Sequence, residues 1–224
     1  MPSSQTLTRI TRFGMVNAYL VREDDGLTLV DTTLPRGDGA ILKAAQRIGA
    51  PIVRIALTHA HGDHIGSLDA LTAKLPGVEV LITARDARLL AGDKTLDPGE
   101  GGQIRGSLPG ARTKPTRLVA PGDRIGSLEV VDAAGHTPGH VAFLDTRDRA
   151  LLCGDAYSTL GGVAVPAKPY PRFPFVWMGT CDRPRALEAA RALRALRPSR
   201  LAPGHGKIVD EPAAAMDAAI RRAS

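Results

Sequence analysis

Cysteine, aromatic residues and long apolar runs are all scarce in this 224-residue chain. Two cysteines, Cys153 and Cys181, are too few for a disulfide framework or a Cys-rich zinc finger, so each reads as a small buried residue. No stretch approaches the roughly 18 uninterrupted apolar residues of a transmembrane helix, which excludes a membrane span of that kind. The opening residues, MPSSQTLTRI, lack the apolar core of a signal peptide, and the expected location is the cytoplasm. Apolar residues make up 43% and charged residues 23%, ordinary globular usage that argues against disorder and coiled coil. The length suffices to bury a core without disulfides or a structural metal, and a single domain over residues 1–224 is expected.

The net charge is +6, and 23 of the 29 basic residues are arginine. They are spread along the chain except for the stretch from Arg183 to Arg200, where Arg191, Arg194 and Arg197 share one helix face. A solvated face is the expected reading, because no aromatic stacking platform or known nucleic-acid module accompanies these arginines.

Apolar runs alternate with helical periods, which points to an α/β or α+β domain. Strands are expected at 17–24, 27–32, 51–58, 78–83, 116–120, 128–133, 140–146, 150–155 and around 200–202. Helices are expected at 39–49, 68–76 and 84–92, from about 183, and from about 212. Residues 92–115 read as a loop rich in Gly and Pro. Two β-sheets packed face to face, with helices outside, accommodate this order. GDHIGSL (62–68) is echoed by GDRIGSL (122–128), but one leads into a helix and the other into a strand, and Arg124 stands in place of His64. The echo is read as coincidence.

What the chain does have is a concentration of histidine. Only six occur, and three fall within His59-Ala60-His61-Gly62-Asp63-His64. Directly after a strand, residues two apart point to one side, so His59 and His61 can approach one metal ion together. Gly62 then permits a turn that aims Asp63 and His64 toward a second ion. Imidazole and carboxylate without thiolate suit zinc, iron, manganese or cobalt. The other candidate ligands, His136 in GHTPGH, Asp155 after Gly154, and His205 in PGHG, also lie beside Gly or Pro at strand-to-loop junctions. His140 begins a strand and is expected to play a structural part.

HAHGDH (59–64), GHTPGH (135–140), GD (154–155) and PGHG (203–206), in that order, resemble the motifs of the metallo-β-lactamase superfamily of metal-dependent hydrolases. Asp31 in LVDT resembles the family's first motif. The resemblance spans residue 17 to about 210 and implies an αββα four-layer sandwich. It implies two divalent ions, zinc foremost with iron or manganese as alternatives. His59, His61 and His136 would form one site and Asp63, His64 and His205 the other, with Asp155 between them and Asp31 orienting a ligand histidine. Two ions about 3.5–4 Å apart can hold a hydroxide, the expected nucleophile. The expected catalytic residues are Asp63 and Tyr157, the latter as a hydrogen-bond donor to a developing oxyanion.

Departures from the subfamilies narrow the substrate. His61 stands where flavodiiron proteins place Glu. The chain ends 19 residues past His205, short of a helical glutathione-binding domain of the glyoxalase II kind. The remaining resemblance is to compact lactonase and esterase-like members, including those that open acyl-homoserine lactones. Five of the eight aromatic residues (Tyr157, Tyr170, Phe173, Phe175 and Trp177) follow Asp155 among prolines and are expected to wall an apolar acyl pocket. The expected partner is a small molecule with an apolar portion, with no membrane or nucleic acid, and homo-oligomerisation is left open. Two rivals are kept. One is a persulfide dioxygenase with a single iron on His59, His136 and Asp155, and the other is a nucleic-acid-processing enzyme.

Overall fold

The computed structural model describes residues 6–224. The first sheet contains β1 (Leu7–Arg12), β2 (Val16–Glu23), β3 (Gly26–Val30), β4 (Ile52–Ala56), β5 (Glu79–Thr83) and β6 (Arg117–Val119), side by side in sequence order. Strands β1 to β3 run antiparallel, and β3 to β6 run parallel. The second sheet contains β7 (Arg124–Ile125), β8 (Leu128–Asp132), β9 (Val141–Asp145), β10 (Ala150–Gly154), β11 (Arg200–Pro203) and β12 (Val209–Asp210), again in sequence order. Here only the β10–β11 pair is parallel. The helices are α1 (Asp38–Ile48), α2 (Gly62–Ile65), α3 (Leu68–Lys74), α4 (Ala84–Leu90), α5 (Phe175–Gly179), α6 (Arg183–Ala195) and α7 (Ala213–Ala223).

Strand alternation explains the layering. In the first sheet, Leu20, Leu29, Ile55, Val80 and Ile82 face outward onto Ile41 of α1, Leu71 of α3 and Leu89 of α4. Their neighbours Tyr19, Val21, Val30, Ala56 and Leu81 face inward and meet Val130, Phe143 and Leu152 of the second sheet. Residues of the second sheet that point the other way, such as Leu144, Leu151 and Leu201, pack under Leu193 of α6 and Met216 of α7. Central strands buried on both faces must be apolar throughout, which is why β3, β9 and β10 read as continuous runs. The order is helix, sheet, sheet, helix, the expected four-layer sandwich. Within it Cys153 and Cys181 are free and buried.

The helix ends follow local chemistry. The Asp182 side chain accepts a hydrogen bond from the Arg185 backbone N–H and so caps α6. Gly49 closes α1 at φ 74°, a left-handed position that favours glycine. The arginines of the basic stretch find partners inside the fold. Arg185 pairs with Asp132, Arg194 with Asp217, and Arg200 with Asp148, while Arg183 lies over the Trp177 ring. No helix is long and apolar enough to cross a membrane among the described residues. The expected elements all appear; β1, α2, α5, β7 and β12 are additions to them.

Candidate metal centre

Five of the six histidines converge with Asp63 and Asp155 where the C-terminal ends of β4, β10 and β11 meet the β8–β9 loop. Hydrogen bonding at the far side of each ring fixes its tautomer. His59 Nδ1 lies 3.0 Å from Thr58 Oγ1, whose own proton goes to Asp31 Oδ2 at 2.8 Å. That hydroxyl therefore accepts from Nδ1, and His59 Nε2 is bare. His61 Nε2 donates to the Arg105 carbonyl at 2.9 Å, which leaves Nδ1 bare. His136 Nδ1 donates to Thr180 Oγ1 at 2.9 Å, a hydroxyl already committed to the Val176 carbonyl at 2.7 Å, so Nε2 is bare.

These three bare nitrogens face one another. His61 Nδ1 is 2.9 Å from His136 Nε2 and 3.1 Å from His59 Nε2. Burial pushes the pKa of all three rings down, His59 and His136 well below the usual imidazole range, so the rings are neutral. Three lone pairs at that separation repel unless a cation lies among them. The donor set fits a divalent ion.

A second set lies beside the first. His64 Nδ1 donates to Asp31 Oδ2 at 2.8 Å. His64 Nε2 faces Asp155 Oδ1 at 3.3 Å, yet both atoms are buried without a hydrogen-bond partner. His205 Nδ1 donates to the Met15 carbonyl at 3.2 Å, and its Nε2 is 3.3 Å from Asp63 Oδ2 and from Asp155 Oδ2. Asp155 Oδ2 is also 3.3 Å from His136 Nε2, so this carboxylate faces both sets. Burial works against charge on His64 and His205. The carboxylates outweigh it, raising His64 well above its ordinary value and His205 to about 9. The same carboxylate charge that favours the protonated rings would favour a bound cation.

The surrounding backbone leaves no slack. Gly154 sits at φ 49°, and a Cβ there would lie 2.5 Å from His140 Nε2. At Gly204 a Cβ would collide with Asp155 Oδ1 and the His64 ring. His140 stays outside the cluster: its Nδ1 donates to the Ala133 carbonyl at 2.9 Å, and its Nε2 accepts the Asp155 N–H at 3.2 Å. Asp31 is held at φ 59° by accepting from Thr58 N–H, Thr58 Oγ1 and His64 Nδ1. Gly62 opens the short helix α2 rather than a left-handed turn, packed against Pro109 and Ser107.

The sequence from Thr11 to His205 matches the family described as the metallo-beta-lactamase superfamily. The chain belongs to that superfamily. It is 42% identical to the protein YobT of Bacillus subtilis (strain 168), itself uncharacterized, over 98% of this chain and 96% of that one. It is 30% identical to the hydroxyacylglutathione hydrolase of Stenotrophomonas maltophilia (strain R551-3), over 69% of this chain and 51% of the relative. The chain thus spans about half the length of that enzyme. Among solved structures, TTHA1623 in a di-iron-bound form aligns with a TM-score of 0.68 and 28% identity, over 92% of this chain and 94% of the other. At the level these likenesses carry, the chain is a superfamily hydrolase with a metal-binding cluster of His and Asp.

Sequence reasoning misses the groups that hold the superfamily motifs together. Asp86 on α4 is fully buried and reaches both metal-side loops. Its Oδ2 accepts from Ala60 N–H at 2.9 Å and Thr137 Oγ1 at 2.8 Å, and its Oδ1 accepts from Gly139 N–H at 2.9 Å. Asn17 Nδ2 donates to the Pro203 and Gly206 carbonyls, and Tyr19 OH donates to Pro203, which pins the turn that carries His205.

Over the cluster opens a cavity of about 620 Å³. His61, Asp63, His136, Asp155 and His205 form its polar floor, and its walls include Leu34, Pro109, Phe173, Phe175 and Val176. Two expectations need correction. Tyr157 is fully buried in the outer core, and its hydroxyl donates to the Ala190 carbonyl of α6 at 2.7 Å, so it has no donor to offer an oxyanion. Of the five aromatics expected as a wall, only Phe173 and Phe175 line this cavity. Trp177 packs beneath Arg183, and Tyr170 donates to the Gly161 carbonyl. Ser107, from the Gly- and Pro-rich loop, is the hydroxyl that the lining does present.

Proposed function

We infer that the protein cleaves a lactone, ester or thioester carbonyl with two divalent ions, zinc foremost and iron or manganese as alternatives. The observation that carries this reading is the set of three bare imidazole nitrogens pointing at one centre, with Asp155 turned to that centre and to its neighbour. His59, His61 and His136 would hold one ion, Asp63, His64 and His205 the other, and Asp155 both. Bound ions would supply a water that ionises near neutral pH and a positive centre for the carbonyl oxygen.

The protein's own groups do the rest. Asp63 is the proposed ligand most open to the cavity, and its carboxylate would accept a hydrogen bond from water there and orient it toward the carbonyl. Ser107 lies on the same wall, and its hydroxyl would be the donor there for a substrate oxygen. Phe173, Val176 and Leu34 exclude bulk water and strengthen every charge interaction on the floor. The hydroxyacylglutathione hydrolase relatives support carbonyl–sulfur or carbonyl–oxygen cleavage as the reaction type.

The test pairs elemental analysis with a screen over lactones, thioesters, aryl esters, β-lactams and phosphodiesters. About two metal ions per chain and turnover of a carbonyl ester are expected, and His61→Ala and Asp63→Ala should stay folded but lose turnover. Turnover retained by a metal-depleted variant would end the reading. One iron per chain with oxygen uptake on a persulfide would instead support the dioxygenase rival; the completeness of the Asp63, His64 and His205 set speaks against it.

A further inference from the structure

The exposed apolar side chains are not scattered. Among the described residues, six large hydrophobic side chains are exposed, and four of them sit on two short segments at the mouth of the metal-side cavity. Phe13 (73% exposed) and Met15 (42%) form the tip between β1 and β2, and Phe175 (65%) and Met178 (54%) lie on α5. Met15 and Phe175 also line the cavity, so its apolar wall reaches both of the segments that carry the exposed side chains. Phe13 holds φ at 51°, a left-handed backbone that an aromatic residue adopts only against its intrinsic preference. The two-residue turn Phe13-Gly14 requires that backbone, and it holds the ring out at the tip with Arg12 over one face.

The lining is equally informative in its charge. It holds no lysine or arginine among the described residues; its ionisable groups are the ligand His and Asp side chains. Of the arginines beside the cavity, Arg172 donates to the Gly161 carbonyl, and Arg12 lies over the Phe13 ring at the outer edge of the lip, away from the lining. A substrate with carboxylates beyond the scissile bond, as in a glutathione conjugate, would have to place them on apolar walls without a partner.

We propose that this site selects substrates whose acyl part is a long, uncharged alkyl chain, which lies from the cluster outward across the lip of Phe13, Met15, Phe175 and Met178. Anionic thioesters such as glutathione conjugates are discriminated against. The proposal rests on the hydrolase reading for its scissile carbonyl and on the lip for its chain. It separates this protein from the relatives whose names carry glutathione.

The metal-loaded full chain is titrated calorimetrically with the N-methylamides of butanoic, hexanoic, octanoic and decanoic acids, which keep carbonyl and chain but resist hydrolysis. S-Hexylglutathione serves as the anionic probe. Affinity should rise about two- to fourfold per added methylene, and S-hexylglutathione should bind about tenfold or more weakly than N-methylhexanamide. In the double variant Phe13→Ser, Met178→Ser, both positions being exposed, the rise should flatten beyond the hexanoyl member while circular dichroism is unchanged. Affinity independent of chain length, or S-hexylglutathione bound as tightly as the hexanamide, would overturn the proposal. Amides that bind as expected to a chain that cleaves no carbonyl ester would sustain the lip and sink the hydrolase reading. Turnover of short esters with a flat amide series would do the reverse.

Discussion

Asp86 lies outside every motif, yet one carboxylate ties the loop of His59 and His61 to the loop of His136. Asp86→Asn would turn an amide N–H₂ toward backbone donors, and metal affinity should fall by about 10- to 100-fold. Metal titration of wild type and variant checks this, with the larger loss expected at the set that includes His136. Burial also holds the Asp86 carboxyl up at about 6, above its unfolded value of 3.8. Between those pH values the folded chain keeps a proton that the unfolded chain has released. Its contribution to stability therefore falls as pH rises through that window, by roughly 3 kcal/mol in total. Denaturant unfolding of metal-free protein should show the wild-type advantage over Asp86→Asn shrinking from about pH 4 to about pH 6. A constant difference would contradict the raised value. At the ligands themselves, Asp155→Ala should reduce occupancy of both ions and His205→Ala mainly one, as read by elemental analysis; equal losses would argue against a shared carboxylate. The clustering of these His and Asp side chains was legible because imidazole and carboxylate at tight spacing are rare outside metal sites. Asp86 was not. Thr83-Ala84-Arg85-Asp86 reads as a helix start, and Thr83 Oγ1 does accept from Asp86 N–H. The carboxylate's partners, however, are largely backbone N–H groups that no residue type marks.

Helices and strands were legible in proportion to their burial. The central strands, apolar on both faces, announced themselves, whereas β1, β7 and β12 lie at or beside sheet edges, and their residues are half-exposed. Helix α5 has five residues after a run of prolines and carries no helical period to read. It nevertheless anchors the site, since the Val176 carbonyl holds Thr180, which in turn accepts from His136. Tyr157 links the segment after β10 to α6 in the same structural sense. Tyr157→Phe should cost about 1 kcal/mol of stability through its lost hydrogen bond and leave kcat at the wild-type level. A large fall in kcat with intact stability would restore it to the reaction.

The whole molecule does not depend on metal for its core, because three apolar layers are complete without the cluster. Chelation should preserve the far-UV circular dichroism spectrum. It should lower Tm by roughly 5–11 °C, from about 2.7 kcal/mol of linkage with free ion at 100 times Kd. Loss of the spectrum on chelation would show that the ions are structural. The first sheet is drawn from residues 7–119 and the second from residues 124–210. Each proposed ligand set takes side chains from both: His59 and His61 need His136, and Asp63 and His64 need His205. On these proposed sets, neither half of the polypeptide would complete an ion's donors by itself. Catalytic competence would then be withheld from half-assembled chains, with metal loading acting as a proofreading step on the docking of the two sheets.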